Sequence, residues 1–204
     1  PFVVYGKLPF TLLVYVIAAV GIYEILRMKK IVIYSVPGIL SLFATFVMLM
    51  PSEWEQQVLE WTTYSKLELL FITAILLLIY SVLVKNRFTF DDVAFVILST
   101  LYVGIGFYYL IATRDAGLAY IIFALLVVWT TDSGAYFTGR RLGKNKLWPE
   151  ISPNKTIEGF VGGIVIAVIA VIIMQLISPF DVSWGILILI AIVSSIFGQM
   201  GDLV

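Results

Sequence analysis

The stretch GFVGGIVIAVIAVIIMQLI, residues 159 to 177, is apolar along almost its whole length. A helix needs about 20 mostly apolar residues to cross roughly 30 Å of hydrocarbon, so this stretch predicts a membrane span. Six further stretches have the same character, at residues 8–26, 31–50, 67–84, 91–112, 118–137 and 184–204. They are apolar on all sides, which favours helices over the alternating strands of a barrel. We therefore predict an all-α polytopic membrane protein with about seven transmembrane helices, preceded by the remnant of an amino-terminal one.

The composition supports this class. The chain has 204 residues, of which 61% are hydrophobic and 13% charged, against about 25% charged in soluble domains. Thirteen basic and thirteen acidic residues cancel, so net charge gives no reason to expect nucleic acid as a partner. Cysteine and histidine are absent, which excludes disulfides, thiol chemistry and a histidine base from this sequence. A bound metal would be a hard ion held by oxygen atoms.

The linkers between the apolar stretches alternate in charge. Short cytoplasmic loops are enriched in Lys and Arg, and three alternate linkers carry clusters of them: Arg27, Lys29 and Lys30, then Lys85 and Arg87, then Arg140, Arg141, Lys144, Lys146 and Lys155. This pattern predicts a single membrane domain over residues 1–204, with residues 138–158 forming a polar loop on the cytoplasmic side.

That polar loop ends in SPNKTIEGFVGG, residues 152–163. Ser152 followed by Pro153 is typical of a helix start, with serine as the N-cap and proline in the first turn. A helix beginning there would offer free N–H groups to an anion, with Lys155 and Thr156 beside it. Two alternatives stay open: the basic residues serve topology alone, and Gly159 and Gly163 serve only close helix packing.

Two carboxylates lie in or at the edge of the predicted spans. Asp132 is placed about one and a half turns before the predicted end of its helix, and Asp202 lies at the inner end of the last span. A carboxylate inside a membrane costs about 2.5 to 3.5 kcal/mol on insertion scales, so a functional role or a salt bridge is expected. Helix carboxyl ends favour cations, and magnesium typically combines one or two carboxylates with substrate phosphates. The pattern predicts a site for a metal and a nucleotide phosphate.

Three blocks of the sequence also carry a family resemblance. DSGAYFTGRRLGK at residues 132–144, SPNKTIEGFVGG at 152–163 and FGQMGDLV at 197–204 closely resemble consecutive blocks of the bacterial phosphatidate cytidylyltransferases, also called CDP-diacylglycerol synthases. The second block matches the family pattern in full. In the family, the third block leads into a carboxy-terminal signature segment that this sequence lacks. The sequence also begins at Pro1, in what reads as the tail of a span. We therefore expect a family member truncated at both ends, for which activity of this fragment alone is in doubt.

The resemblance implies a reaction and an environment. It implies transfer of the cytidylyl group of CTP to phosphatidic acid, giving CDP-diacylglycerol and pyrophosphate, with Mg²⁺ as cofactor. It implies a multi-pass protein of the cell (inner) membrane whose active site faces the cytoplasm and whose partners include membrane lipids. Whether the protein forms a homodimer is left open.

The resemblance and the local chemistry together nominate nine site residues. Asp202 and Asp132 are the expected metal ligands and, with Lys155, the expected catalytic residues. The expected substrate-binding residues are Ser152, Thr156, Lys144, Lys146, Arg140 and Glu158, where Glu158 either orients Lys155 or fixes the loop.

Two other functions remain as alternatives. A transporter of an anionic solute would place its polar residues near the bilayer midplane, whereas here they gather at one face. Another membrane-embedded lipid-phosphate transferase, such as a CDP-alcohol phosphotransferase, would need a DGxxAR pattern, which the sequence lacks.

Overall fold

Helices make up most of the chain. The structure, a computed structural model, describes residues 2–203. In chain order its elements are α1 (Phe2–Tyr5), α2 (Lys7–Met28), α3 (Val36–Met48), α4 (Ser52–Thr62), α5 (Lys66–Leu83), α6 (Phe90–Ala116), α7 (Leu118–Leu142), β1 (Lys146–Trp148), β2 (Ser152–Thr156), α8 (Ile157–Ile177) and α9 (Trp184–Gly201). The predicted all-α membrane class is confirmed, with one short antiparallel hairpin, β1 and β2, added to it.

Six of the described helices are long and apolar enough to cross a membrane: α2, α5, α6, α7, α8 and α9. A seventh span is obtained only if α3 and α4, which meet at a bend of 114°, are counted as one. This agrees with the predicted number of about seven. Val204, the last residue of the predicted seventh stretch, lies outside the described residues.

The second predicted stretch, residues 31–50, forms a shorter helix than expected. Ser35 caps α3, accepting a hydrogen bond from the Gly38 backbone N–H, so the helix begins five residues late. Pro51 then stands at the N-cap of α4, because a proline cannot continue the preceding helix. The 13 residues of α3 span about 20 Å, which is less than the hydrocarbon thickness of a bilayer.

The chain divides into two compact units, residues 1–118 and 119–204. The core of the first unit is formed by small and branched apolar side chains of α2, α5 and α6, together with Leu49. A buried hydrogen bond of 3.2 Å between the hydroxyls of Ser41 and Thr100 joins α3 to α6. Lys66 fixes the start of α5: its Nζ pairs with Glu55 at 2.8 Å and donates to the Met50 carbonyl at 2.6 Å.

The second unit contains the hairpin, α8, α9 and nearly all of α7. Val127, Ala167, Val171, Leu187 and Ala191 form its apolar core. Toward the end of this core, the Thr131 hydroxyl donates to the Ser195 hydroxyl at 2.9 Å, and both side chains are buried. This bond joins α7 to α9 at a depth where an unpaired hydroxyl would be costly.

The predicted helix start at Ser152 and Pro153 is wrong. Residues 152–156 form β2, whose register pairs Ser152 with Trp148 and Thr156 with Lys146. A proline fits here because an edge strand tolerates the missing N–H. Thr156 has an extended backbone and is the N-cap of α8, so the helix starts four residues later than the sequence pattern indicates.

Gly159 and Gly163 allow α8 to approach α7 closely, as their spacing predicts. A Cβ atom at Gly159 would lie 2.8 Å from the Ala135 carbonyl oxygen, and one at Gly163 would lie 2.8 Å from the Thr131 carbonyl oxygen. Both distances are shorter than a carbon and an oxygen can occupy without a shift of one helix. The two glycines therefore set the spacing of the two helices.

We expect Gly163→Ala to lower the free energy of unfolding by about 1 to 3 kcal/mol, the usual cost of overpacking. Gly106→Ala is the matched control, because it replaces another helical glycine at a position where an added Cβ meets nothing within 4 Å. The better helix propensity of alanine should leave that control at least as stable as the parent. Thermal unfolding in detergent micelles measures the stability of both variants. Equal stability of the two would contradict the role given to Gly163.

Candidate functional site

A cavity of about 460 Å³, with charged and polar side chains in its lining, lies in the second unit. Its lining comes from the carboxyl half of α7, the hairpin, the first turn of α8 and the end of α9. The polar side chains that line it are Asp132, Tyr136, Arg140, Asn154, Lys155, Thr156, Gln199 and Asp202. These polar residues come from α7, β2 and the end of α9, so the cavity exists only in the folded unit.

Five of the nine predicted site residues line this cavity: Asp132, Arg140, Lys155, Thr156 and Asp202. The other four, Ser152, Lys144, Lys146 and Glu158, are outside its lining. Lys146 and Ser152 lie in the paired strands, and the side chains of Lys144 and Lys146 are exposed. The structure thus brings together both predicted metal ligands and two of the predicted phosphate-binding cations.

Lys155 connects the hairpin to the end of α9. Its Nζ lies 3.4 Å from a carboxylate oxygen of Asp202, and it donates to the Gln199 backbone carbonyl, also at 3.4 Å. The Asp202 side chain keeps 57% of its surface exposed, so solvent screens the pair and its contribution to stability is small. Both charged groups remain accessible to a ligand.

Asp202 occupies the predicted position at a helix end. It is the C-cap of α9, and its backbone N–H donates to the Gly198 carbonyl at 3.2 Å. The carboxyl end of a helix carries partial negative charge, which adds to the charge of the carboxylate. This corner of the cavity therefore favours a cation, which in the described structure is the ammonium of Lys155.

The prediction for Asp132 is wrong in one respect. The helix that carries it continues to Leu142, so Asp132 lies nearly three turns before the carboxyl end. The helix dipole acts only within the last turn, and it does not contribute at Asp132. Among residues 2–203 no ion pair or hydrogen bond of the Asp132 carboxylate is found. The salt bridge proposed as an alternative explanation for this acid is thus not formed in the described part of the chain.

The amino end of α8 differs from the free anion site that the sequence predicts. The Thr156 hydroxyl accepts a hydrogen bond from the Gly159 N–H at 3.1 Å, and the Ile157 N–H donates to the Asn145 carbonyl at 3.0 Å. These two N–H groups already have partners inside the protein. Phosphate recognition in the cavity would therefore depend on the Lys155 and Arg140 side chains, with the helix dipole as a background contribution.

Glu158 fixes the loop before the hairpin, one of the two roles considered for it. Its carboxylate accepts from the Lys144 backbone N–H at 3.1 Å, from the Asn145 backbone N–H at 3.2 Å and from the Asn145 side-chain amide at 2.8 Å. Glu158 thereby ties residues 144 and 145 to the first turn of α8.

Three further polar residues of the cavity were not among the predicted site residues: Gln199, Tyr136 and Asn154. Gln199 is buried, and its side-chain amide donates to the Phe160 carbonyl at 3.2 Å, which joins α9 to α8. The Tyr136 hydroxyl accepts from an Arg140 guanidinium nitrogen at 3.2 Å, one helical turn away. A polar amide three residues before Asp202 in an apolar span was the available signal for Gln199.

The cavity suits a hard cation only in combination with a ligand. Within the described residues no group of three or more acidic side chains could hold a metal alone. Two carboxylates, Asp132 and Asp202, do line one cavity. Magnesium usually takes one or two protein carboxylates and completes its shell with water and substrate phosphates, so this pair fits that mode of binding.

Comparison with known proteins agrees with the family resemblance of the three sequence blocks. The family model described as Cytidylyltransferase family matches residues 1–204. The phosphatidate cytidylyltransferase of Bacillus subtilis (strain 168) is 49% identical over 205 residues, which covers 99% of this chain and 76% of that protein. Proteins of the same name from Staphylococcus haemolyticus (strain JCSC1435) and Staphylococcus aureus (strain COL) are 47% and 41% identical, each over 100% of this chain and 77% of the relative. The similarity extends over both compact units.

We expect Glu158→Gln to free the loop before the hairpin, because the neutral amide offers the Lys144 and Asn145 N–H groups a weaker acceptor. Hydrogen exchange followed by mass spectrometry should show several-fold faster exchange at residues 144 and 145. Glu150→Gln, which changes an exposed acid in the turn of the same hairpin, should leave those rates unchanged. Equal exchange in the parent and the Glu158→Gln variant would contradict the anchoring role.

Proposed function

The chain belongs to the cytidylyltransferase family, and we propose that it performs its reaction at the cavity lined by Asp132, Lys155 and Asp202. The reaction transfers the cytidylyl group of CTP to phosphatidate and gives CDP-diacylglycerol. Family membership decides between the functions considered from the sequence: the protein is a nucleotidyltransferase rather than a transporter or another lipid-phosphate transferase. The observation that carries the proposed location is the convergence of two carboxylates and two cations on one cavity.

The chemistry requires positioning and charge neutralisation more than proton transfer. A phosphate oxygen of phosphatidate attacks the α-phosphorus of CTP, the bond from that phosphorus to the bridging oxygen breaks, and pyrophosphate leaves. The second pKa of a phosphate monoester is near 6, so the attacking group is mostly dianionic at pH 7. No side chain has to act as a base, and a cavity without histidine is sufficient for the reaction.

Lys155 and Arg140 supply the positive charge that two polyanionic substrates need. Both line the cavity, and both carry N–H donors that can bind phosphate oxygens. Arg140 is positioned by its bond to Tyr136, which leaves its other guanidinium donors available. Lys155 is positioned by the Gln199 carbonyl and Asp202. We assign these two cations to the phosphates of CTP and phosphatidate.

Asp132 and Asp202 are the residues that would hold Mg²⁺. When bound, the ion would neutralise charge on the CTP phosphates and withdraw electrons from the reacting phosphorus. Asp202 would exchange its partner, Lys155, for the cation, and the released ammonium could then bind a phosphate oxygen. Asp132 has no partner to give up among residues 2–203, so its carboxylate is ready to act as a ligand.

The protein is a multi-pass membrane protein, and we place the reaction on the cytoplasmic side of the cell (inner) membrane. The basic residues at 140–146, next to the cavity, support this orientation because cytoplasmic loops are rich in Lys and Arg. CTP would reach the cavity from that side. Lys144 and Lys146, although outside the lining, would raise the local concentration of the anionic nucleotide by electrostatic attraction.

Asp202→Asn in the full-length protein should reduce turnover by more than about 100-fold, since even outer-shell partners of metal sites are worth about 10 to 100-fold. The assay follows the formation of CDP-diacylglycerol from radiolabelled CTP and phosphatidate, and it measures turnover over a range of Mg²⁺ concentrations. Asp181→Asn is the matched control, because Asp181 is an exposed acid of the same unit outside the cavity. If Asp202→Asn had the same turnover and the same Mg²⁺ dependence as the parent, a role of Asp202 as a metal ligand would be excluded.

Two adjacent arginines allow a second test of the location. Arg140 lines the cavity and Arg141 does not. Arg140→Gln should raise the KM for CTP or phosphatidate by about tenfold or more, the cost of losing a hydrogen bond to a charged group, and Arg141→Gln should leave both KM values unchanged. Lys155→Gln should resemble Arg140→Gln. Equal kinetics of the two arginine variants would place the reaction elsewhere.

A further inference from the structure

A second cavity, of about 700 Å³, lies in the first unit, where α2 and α5 end and α3 and α6 begin. Four basic residues line it: Lys29, Lys30, Lys85 and Arg87. They come from two separate turns of the chain, at residues 29–35 and 84–88. The fold therefore collects two short basic sequences, more than fifty residues apart, around one concave surface.

The protein neutralises only part of the positive charge of this cavity. None of the four basic side chains forms an ion pair within residues 2–203, and Lys29 lies over the face of the Phe95 ring, at 5.6 Å from its centroid. Asp92 is the acidic residue in the lining. Its carboxylate already accepts hydrogen bonds from the Thr89 backbone N–H at 2.8 Å and the Thr89 hydroxyl at 2.9 Å.

Both turns are held in defined conformations. Lys30 and Lys85 have left-handed backbones, with φ of 58° and 56°, which are uncommon for residues other than glycine. In the second turn the buried Ser81 accepts the Asn86 N–H on its carbonyl at 2.9 Å and donates its hydroxyl to the Phe88 carbonyl at 2.6 Å. The backbone that carries the cations is thus fixed before any ligand binds.

Most of the remaining lining residues are apolar or aromatic, which separates this cavity from a simple phosphate site. Tyr80 and Phe88 pack edge to face, with ring centroids 5.7 Å apart. Leu83 and Val32 leave 75% and 61% of their surfaces uncovered beside the cations. A free phosphate ion would use none of this surface, whereas a phospholipid would place its head group on the cations and its glycerol and acyl chains against the apolar side chains.

We propose that this cavity binds the head group of an anionic phospholipid. The competing explanation is that these basic residues only set the orientation of the chain in the membrane. That explanation accounts for their number. It does not account for the convergence of four cations on one cavity whose single lining carboxylate, Asp92, is hydrogen-bonded to Thr89. Basic pockets between membrane helices are a known means of binding anionic head groups.

The test is lipid binding to the purified full-length protein by native mass spectrometry, with phosphatidylglycerol and phosphatidylcholine of identical acyl chains. The parent should bind phosphatidylglycerol preferentially. Lys30→Gln and Lys85→Gln should each weaken that binding by about fivefold, as expected when one cation is removed from a membrane-surface site. Lys7→Gln is the matched control, because Lys7 is also exposed and also has a left-handed backbone, with φ of 47°, but lies outside the cavity.

Two outcomes would overturn the proposal. One is equal loss of phosphatidylglycerol binding in Lys7→Gln and Lys85→Gln, or no loss in either, with all variants monodisperse and equally stable to heat. The other is complete displacement by millimolar inorganic phosphate without any preference between the two lipids, which would indicate a site for free phosphate. Cytidylyl transfer is a separate property of the protein, and neither outcome would change the assignment of that reaction to the other cavity.

Discussion

The close approach of α8 to α7 is the constraint on which the candidate catalytic cavity depends. Gly159 and Gly163 have no side chains, and the carbonyl oxygens of Ala135 and Thr131 occupy the space that a Cβ would need. Because α7 carries Asp132 and Arg140, while the residues just before α8 include Lys155 and Thr156, the spacing of these two helices sets the width of the cavity. Small residues at helix contacts are the usual way for membrane helices to pack closely. In this protein the same contact also positions the polar side chains that line the cavity.

A second set of contacts attaches α9 to that pair of helices. The buried hydroxyls of Thr131 and Ser195 join α9 to α7, and the Gln199 side chain joins it to α8. Gln199 also offers its backbone carbonyl to Lys155, so one residue connects the core of the unit with the cation at the cavity. Thr131, Ser195 and Gln199 all lie on membrane helices, where an unpaired hydrogen-bond donor is expensive. The need to pair them therefore fixes the end of α9, and with it Asp202.

The sequence predicted the large features of this fold because they depend on composition and length. The apolar stretches located the spans, and the charge and motif patterns selected five of the cavity residues. Local patterns were less informative where tertiary contacts decide the structure. Ser152 and Pro153 are typical of a helix start, yet strand pairing with β1 places them in a hairpin. Likewise α7 continues through DSGAYFTGRRL to Leu142, and three polar residues of this stretch, Asp132, Tyr136 and Arg140, line the cavity. Gln199 was missed because its role depends on a partner thirty-nine residues away.

If the reaction takes place at this cavity, as we propose, the charges of the cavity limit the order in which its ligands enter. Two carboxylates, Asp132 and Asp202, face two cations, Lys155 and Arg140, so their formal charges cancel before any ligand binds. A nucleoside triphosphate arriving alone would meet the Asp132 carboxylate, which has no ion-pair partner among residues 2–203, and two like charges repel most strongly where water is partly excluded. Under the proposed function, a nucleotide that brings a divalent cation would remove this repulsion and would give both carboxylates a partner. Lys155 would then be released from Asp202. The ion pair at 3.4 Å would keep the lysine beside the proposed phosphate position until a cation of higher charge replaces it at Asp202.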